Sequence, residues 1–267
     1  MSAFVRAELA SRRRWLAGLA LGAFTFLVIL GLSYHSIGLG ALGQALAGRN
    51  RPKAFEAFSG SRHGEVLTPH GWLAFGFNHP LYLILTLAVA IGIGTASVAG
   101  EVESGRAELI FTRPIPRRRF LWSSLAIWGA AELFVIAAAL AGAFAGGELS
   151  ADLRRAGLGS IVLAPLQYLP LAFFIAAVAF LASTLSRTRG RALGAAIAVT
   201  VLAYLINFTA TLFDGLSWAR WLSPFGYYDP FAAVDHGIHW GDAAVLTGAA
   251  GILILAAMRV IDRRDLA

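Results

Sequence analysis

Residues 100–120 read GEVESGRAELIFTRPIPRRRF and stand between two apolar stretches: residues 81–99 hold no charged side chain, and residues 120–146 hold only Glu132. Each neighbour is long enough to cross a bilayer, which needs about 20 mostly apolar residues. The charged stretch is then a polar elbow at a membrane surface. Within it Glu101, Arg106, Glu108 and Arg113 fall at roughly helical spacing, Leu109, Ile110 and Phe111 supply an apolar side, and Pro114 and Pro116 stop the helix. This pattern predicts a short amphipathic helix with a hard end. A solvated loop joining two spans has the same composition and stands as the alternative.

Composition points the same way. With 267 residues, 58% hydrophobic and 14% charged, and a mean hydropathy of +0.69, the chain is too apolar for a soluble domain. The net charge of +7 raises nucleic acid as a partner, but 15 of the 22 basic residues sit at the ends of apolar spans rather than on one polar face. They read as topology signals, and membrane lipid, not nucleic acid, is the expected surroundings. The chain has no cysteine, which removes disulfides, thiolate metal sites and cysteine nucleophiles together. Its N-terminus is basic and then apolar like a signal peptide, yet the apolar run lacks a clear small-residue cleavage site and is read as a retained first helix.

Working outward gives a single all-α integral membrane domain with six transmembrane helices. Residues 1–14 set Phe4, Val5 and Leu9 among Arg6, Glu8, Arg12, Arg13 and Arg14, the pattern of an amphipathic helix on the cytoplasmic membrane surface. The spans are 15–36, 81–99, 120–146, 158–185, 192–213 and 241–259. Trp15 and Tyr34 mark the two interfaces of the first, and its Gly18 and Gly22 have the spacing of a close helix contact or of simple packing. Residues 38–79 form an outer loop that is helical in part, with apolar pieces at 42–46 and 55–58. Pro165 and Pro170 predict a kink or an unwound turn in the outer half of the fourth span. Basic residues alternate in density between loops, which places both termini, the elbow 100–119 and the turn at Arg187, Arg189 and Arg191 in the cytoplasm.

Residues 214–240, DGLSWARWLSPFGYYDPFAAVDHGIHW, crowd aromatic rings into a polar frame. They read as a re-entrant segment lining a mouth, or as an aromatic belt anchoring two spans. His236 and His239 stand at i, i+3 beside Asp235 and Asp242, a spacing that suits a metal if the segment is helical; interfacial histidines are the competing reading, and no metal site is assigned. The only lysine is Lys53, so the GxxxxGK[ST] phosphate loop has no counterpart in this chain. Glu132 is the intramembrane residue that the hydrophobic pattern does not explain. It either lines a translocation path or is hydrogen-bonded within the bundle, with Gln167 and Asn207 as the candidate partners at comparable depth.

The stretch EVESGRAELIFTRPIPRRRFLWSS resembles the region after the second span in permease subunits of type 2 ATP-binding-cassette exporters. There an acidic pair, a glycine, a further Glu and a Pro with basic neighbours form a coupling helix. The matching positions are Glu101, Glu103, Gly105, Glu108, Pro114 and Arg117. FVRAELASRRRW is similar to the family's connecting helix, and LSPFGYYDP before the last span also fits, so the resemblance covers nearly the whole chain. Arg106, inside the coupling stretch, and Ala107 depart from the small polar residue and Leu of many members, which leaves the register of the helix open.

The resemblance implies a half-size permease that is not itself an enzyme and carries no cofactor. Two copies, or this chain and a related permease, would sit on two separate ABC ATPase subunits that hold ATP and Mg²⁺, in the plasma (inner) membrane of a prokaryote. The apolar spans favour a lipophilic cargo exported outward, although lipid-facing surface has the same composition. A membrane anchor for an outer-face factor, with the histidine-bearing loops as its working surface, is the competing class. A channel is weaker, because no span carries a repeated polar stripe.

The arginine pattern makes a topological prediction. Single cysteines at Ser104, Thr188 and Ala267 should resist an impermeant thiol reagent in intact cells, and those at Ser61 and Ser217 should react; labelling of Ser104 or Thr188 from outside overturns the orientation.

Overall fold

The structure, a computed structural model, describes residues 2–38, 40, 53–60, 65–105 and 117–263. The apolar piece 42–46 and, in the elbow, Arg106, Glu108 and Pro114 lie outside the described residues. Among the described residues every regular element is a helix. Six are long and apolar enough to cross a membrane: Arg13–Ile37, Pro80–Ser97, Phe120–Leu149, Gly159–Leu185, Arg189–Leu212 and Trp240–Arg263, referred to in order as spans one to six. The chain is an all-α integral membrane protein.

Lipid is as apolar as leucine, so helices in a bilayer are held by close packing rather than by exclusion from water. Spans one and three pack through glycine. A Cβ added to Gly142 would lie 2.3 Å from the Phe24 carbonyl oxygen, and one on Gly146 would lie 2.8 Å from that of Val28. Gly31 closes the same seam from the other side, its Cβ position 2.6 Å from the Gly146 carbonyl carbon. Gly142 and Gly146 are four residues apart and so share one helix face. The predicted pair behaves differently: Gly18 has open space around it and Gly22 only touches Leu85 at an ordinary 3.5 Å. A second close approach joins spans two and four, where a Cβ on Gly94 would meet the Ala179 Cβ at 2.6 Å.

Caps set the element boundaries away from the elbow. The helix Pro69–Asn78 starts with Thr68, whose hydroxyl accepts from the Gly71 N–H at 3.0 Å, and with Pro69 at its first position. Span two repeats the device with His79 as cap and Pro80 first. The helix Pro230–His236 repeats it with Asp229 and Pro230.

The outer loop 38–79 contributes to the core: in Pro69–Asn78 the side chains of Trp72, Leu73, Phe75 and Phe77 are buried, and the Trp72 indole donates to the Leu30 carbonyl at 2.7 Å. Tyr34, at the end of span one, is buried against this loop, and its hydroxyl donates to the Leu67 carbonyl. The helix that carries span three starts three residues before the span, at Arg117, and runs to Leu149. Span four opens with the 3-10 turn Gly159–Val162 and is then helical over Leu163–Leu185, with Pro170 inside the helix. Pro165 falls in the first helical turn, where its missing N–H leaves no acceptor unpaired.

The aromatic segment divides in two. Asp214–Leu222 is a 3-10 run with Trp218 and Trp221 exposed. The part from Ser223 turns into the bundle and buries Phe225, Tyr228, Phe231 and Val234. Ser223 holds the bend, donating to the Ala203 carbonyl at 2.7 Å and accepting from the Phe225 N–H at 3.2 Å.

Gly142→Ala should lower the thermal midpoint of the detergent-purified protein, since overpacking against a backbone costs about 1–3 kcal/mol. Gly18→Ala should leave it unchanged or raise it slightly, and equal effects of the two would show that the glycine seam is not a constraint.

Candidate functional site

At the elbow end of the bundle the chain breaks at Val98 between span two and the short helix Ala99–Glu103. A break in a buried helix leaves N–H groups that need acceptors. Ser183 of span four supplies one: its Oγ accepts from the Val98 N–H at 3.1 Å and the Ala99 N–H at 2.9 Å, and donates to the Thr95 carbonyl at 3.0 Å. Glu103 then reaches span five, where its carboxylate accepts from the Arg189 N–H at 2.7 Å. Arg189 is the first residue of that helix, the end at which free N–H groups favour an anion. Glu101 faces the other way and, with Glu8, Arg12, Ser97 and Phe120, lines a small cleft against the N-terminal helix Ser2–Ser11. Gly105, at a φ of +70°, turns the chain off this short helix in a conformation that disfavours other residues.

Within the bundle, span two has two unlike faces. One walls an apolar groove of about 440 Å³ shared with span five, lined by Leu83, Ile84, Leu87 and Ile91 on one side and Ile197, Thr200 and Tyr204 on the other, with Phe225 also lining it. The opposite face carries Tyr82 and Thr86, buried beside Glu132 of span three and Tyr168 of span four. Glu132 is fully buried. Trp128, one turn earlier, and Tyr168 come up to its carboxylate without reaching hydrogen-bond geometry.

The remaining sequence candidates are dispersed. Gln167 does not meet Glu132; its Oε1 accepts from the His239 N–H at 3.1 Å. Asn207 lines a small polar cavity of about 40 Å³ with Thr211, Arg220 and Asp229, also apart from Glu132. His239 pairs through Nδ1 with Asp242 at 3.6 Å, and His236 is exposed. Among the described residues no group of three or more His, Cys, Asp or Glu gathers to hold a metal.

Residues 77–260 match the family model described as the C-terminal domain of the multidrug efflux system permease Rv1217c. The chain belongs to this family. No curated protein and no solved structure matches it. The match covers more than half of this efflux permease and takes in spans two to six, and with them the elbow, the groove and Glu132.

Sequence reading missed Ser183 in this permease, along with Tyr82, Thr86, Trp128 and Tyr168. A signal existed for the last four, since each puts a polar atom into an otherwise apolar span, but their convergence depends on how the helices are rotated. His79 stands just before span two, next to Pro80 at one end of the groove. Its Nδ1 accepts from the Leu81 N–H at 3.1 Å, while the rings of Phe26, Phe58 and Phe75 stand 4.9, 5.5 and 5.4 Å from its own.

Burial lowers the pKa of His79. Because the unfolded value, about 6.5, is the higher one, the unfolded chain takes up the proton first on acidification. Stability should be level above about pH 7 and fall as the pH drops through the folded value, and thermal midpoints across this range should show it. His79→Asn keeps a capping oxygen and should flatten the profile; an unchanged slope would assign the acid sensitivity elsewhere.

Proposed function

We propose that this permease is the membrane subunit of an ABC exporter, moving lipophilic compounds outward with energy from separate ATPase subunits. Two copies, or this chain and a related permease, form the membrane unit in a prokaryotic plasma membrane, with both termini cytoplasmic. The observation that carries the reading is the root of the elbow. The short helix Ala99–Glu103 is tied to span four through Ser183 and to span five through Glu103, so a push on the elbow reaches three spans at once. A rigid body shifted in this way is a recognised means of opening a path. The missing phosphate loop agrees with an ATPase on another chain.

The groove supports the lipophilic part of the proposal. Its lining is apolar apart from the hydroxyls of Thr200 and Tyr204, as suits a drug-sized apolar ligand. Span five is the least buried of the six, with Leu202 and Leu205 exposed beyond the groove, and this is the face offered to a second permease.

Glu101→Arg or Glu108→Arg should weaken ATPase attachment or uncouple hydrolysis while the chain still inserts, because reversed charge opposes a complementary surface. Co-purification and stimulated ATPase activity are the measurements. Two variants that bind and stimulate the ATPase like the wild type would remove the coupling role.

A further inference from the structure

Among the described residues, the buried side-chain polar atoms that find no hydrogen-bond partner are the Tyr82 hydroxyl, the Trp128 indole N–H, both Glu132 carboxylate oxygens and the Tyr168 hydroxyl. They form one cluster. Leaving a buried donor or acceptor unmatched is destabilising, and in lipid a lone carboxyl is tolerated where protein or water answers it. Tyr82 of span two, Trp128 of span three and Tyr168 of span four thus surround the carboxyl with donors that stop short of hydrogen-bonding it. The match is chemical rather than accidental, since a carboxyl is the acceptor best able to take several donors.

The place of the cluster gives it a use. At about 100° per residue, Tyr82 and Thr86 lie on one side of span two and the groove residues Leu83, Ile84, Leu87 and Ile91 on the other. Glu132 therefore stands behind the groove wall and does not line the groove. From Tyr82 a run of edge-on rings continues to Tyr168 at 5.4 Å and to Tyr228 at 5.8 Å, whose hydroxyl donates to the Phe77 carbonyl at 3.0 Å. Tyr228 lies three residues from Phe225, which lines the groove.

We propose that Glu132 is a positioning residue for substrate: with Trp128, Tyr82 and Tyr168 it holds the rear of span two, and through Tyr228 the Phe225 turn, and so sets the width of the groove. The inference rests on the groove being the substrate path. Glu132 touches no cargo; it acts through the wall that does.

The test is concentration-dependent export of rhodamine 6G from cells carrying the permease and its partner ATPase, normalised to folded protein by size-exclusion chromatography. Glu132→Leu should raise KM about fivefold, equivalent to about 1 kcal/mol, with little change in kcat, because an unanchored wall alters binding and not the driving step. Glu132→Gln, which still accepts hydrogen bonds, should restore KM to within about twofold of the wild type. Tyr168→Phe removes one donor at constant volume and should shift KM the same way by less, which keeps the idea testable should Glu132→Leu fail to fold. An unchanged KM in the Glu132→Leu protein, or in Tyr168→Phe where Glu132→Leu does not fold, overturns the proposal, as does a Gln variant no better than Leu. Thr200→Phe, which fills the groove from span five, separates the two levels. If it exports normally, the groove reading and this inference both fall; if it blocks export while Glu132→Leu behaves like the wild type, only the inference falls.

Discussion

The backbone contact of spans one and three along Gly31, Gly142 and Gly146 is the constraint on which the remaining geometry depends. In a bilayer no hydrophobic force selects one helix neighbour over another, so surfaces that approach closely determine which helices pair. Once span three is fixed against span one, its rotation is fixed too. Glu132 then points into the bundle, and span two is received with Tyr82 and Thr86 toward it. The second glycine approach, Gly94 against Ala179, sets span four at the same depth, and Tyr168 arrives beside the carboxyl.

Span two follows as the helix with divided duties. Its rear face meets polar side chains from two other spans, its front face is an apolar wall, and its end at Val98 is broken so that the chain leaves as the elbow. Ser183 makes the break tolerable by satisfying the Val98 and Ala99 N–H groups that a helix end leaves open. A displacement at Ala99–Glu103 therefore has a mechanical route along span two to the groove wall, and another through the Arg189 N–H to span five on the groove's far side. Of the two helices that border the groove, the elbow continues one, span two, and is bonded to the other, span five.

The far end of the bundle closes by a different device. Thr68, His79 and Asp229 each cap a helix that begins with proline, so three chain reversals are pinned by side-chain oxygen or nitrogen in place of a long loop. This lets Pro69–Asn78 and the stretch after Ser223 fold inward, and it accounts for aromatic rings buried in segments whose polar neighbours suggest surface.

Length and apolarity alone made the six spans and the all-α class legible, because a segment of about 20 apolar residues has few other places to go. Glu132, the lone carboxylate of residues 120–146, was legible for the same reason, since it breaks a pattern that is otherwise complete. The core helix Pro69–Asn78 was not, because ten residues with His, Gly and Asn among them are too short and too polar to read as a span. Gly18 and Gly22 have the spacing of a helix contact but make no close backbone approach, whereas Gly142 and Gly146 have it and do. Spacing tells which residues share a face, but not which way that face turns. The partners of Glu132 illustrate the limit: Gln167 and Asn207 were chosen by depth, and Tyr168, one residue from Gln167, is the one that faces it. One residue along a helix is about 100° of rotation, and only the packing of the other spans decides that angle.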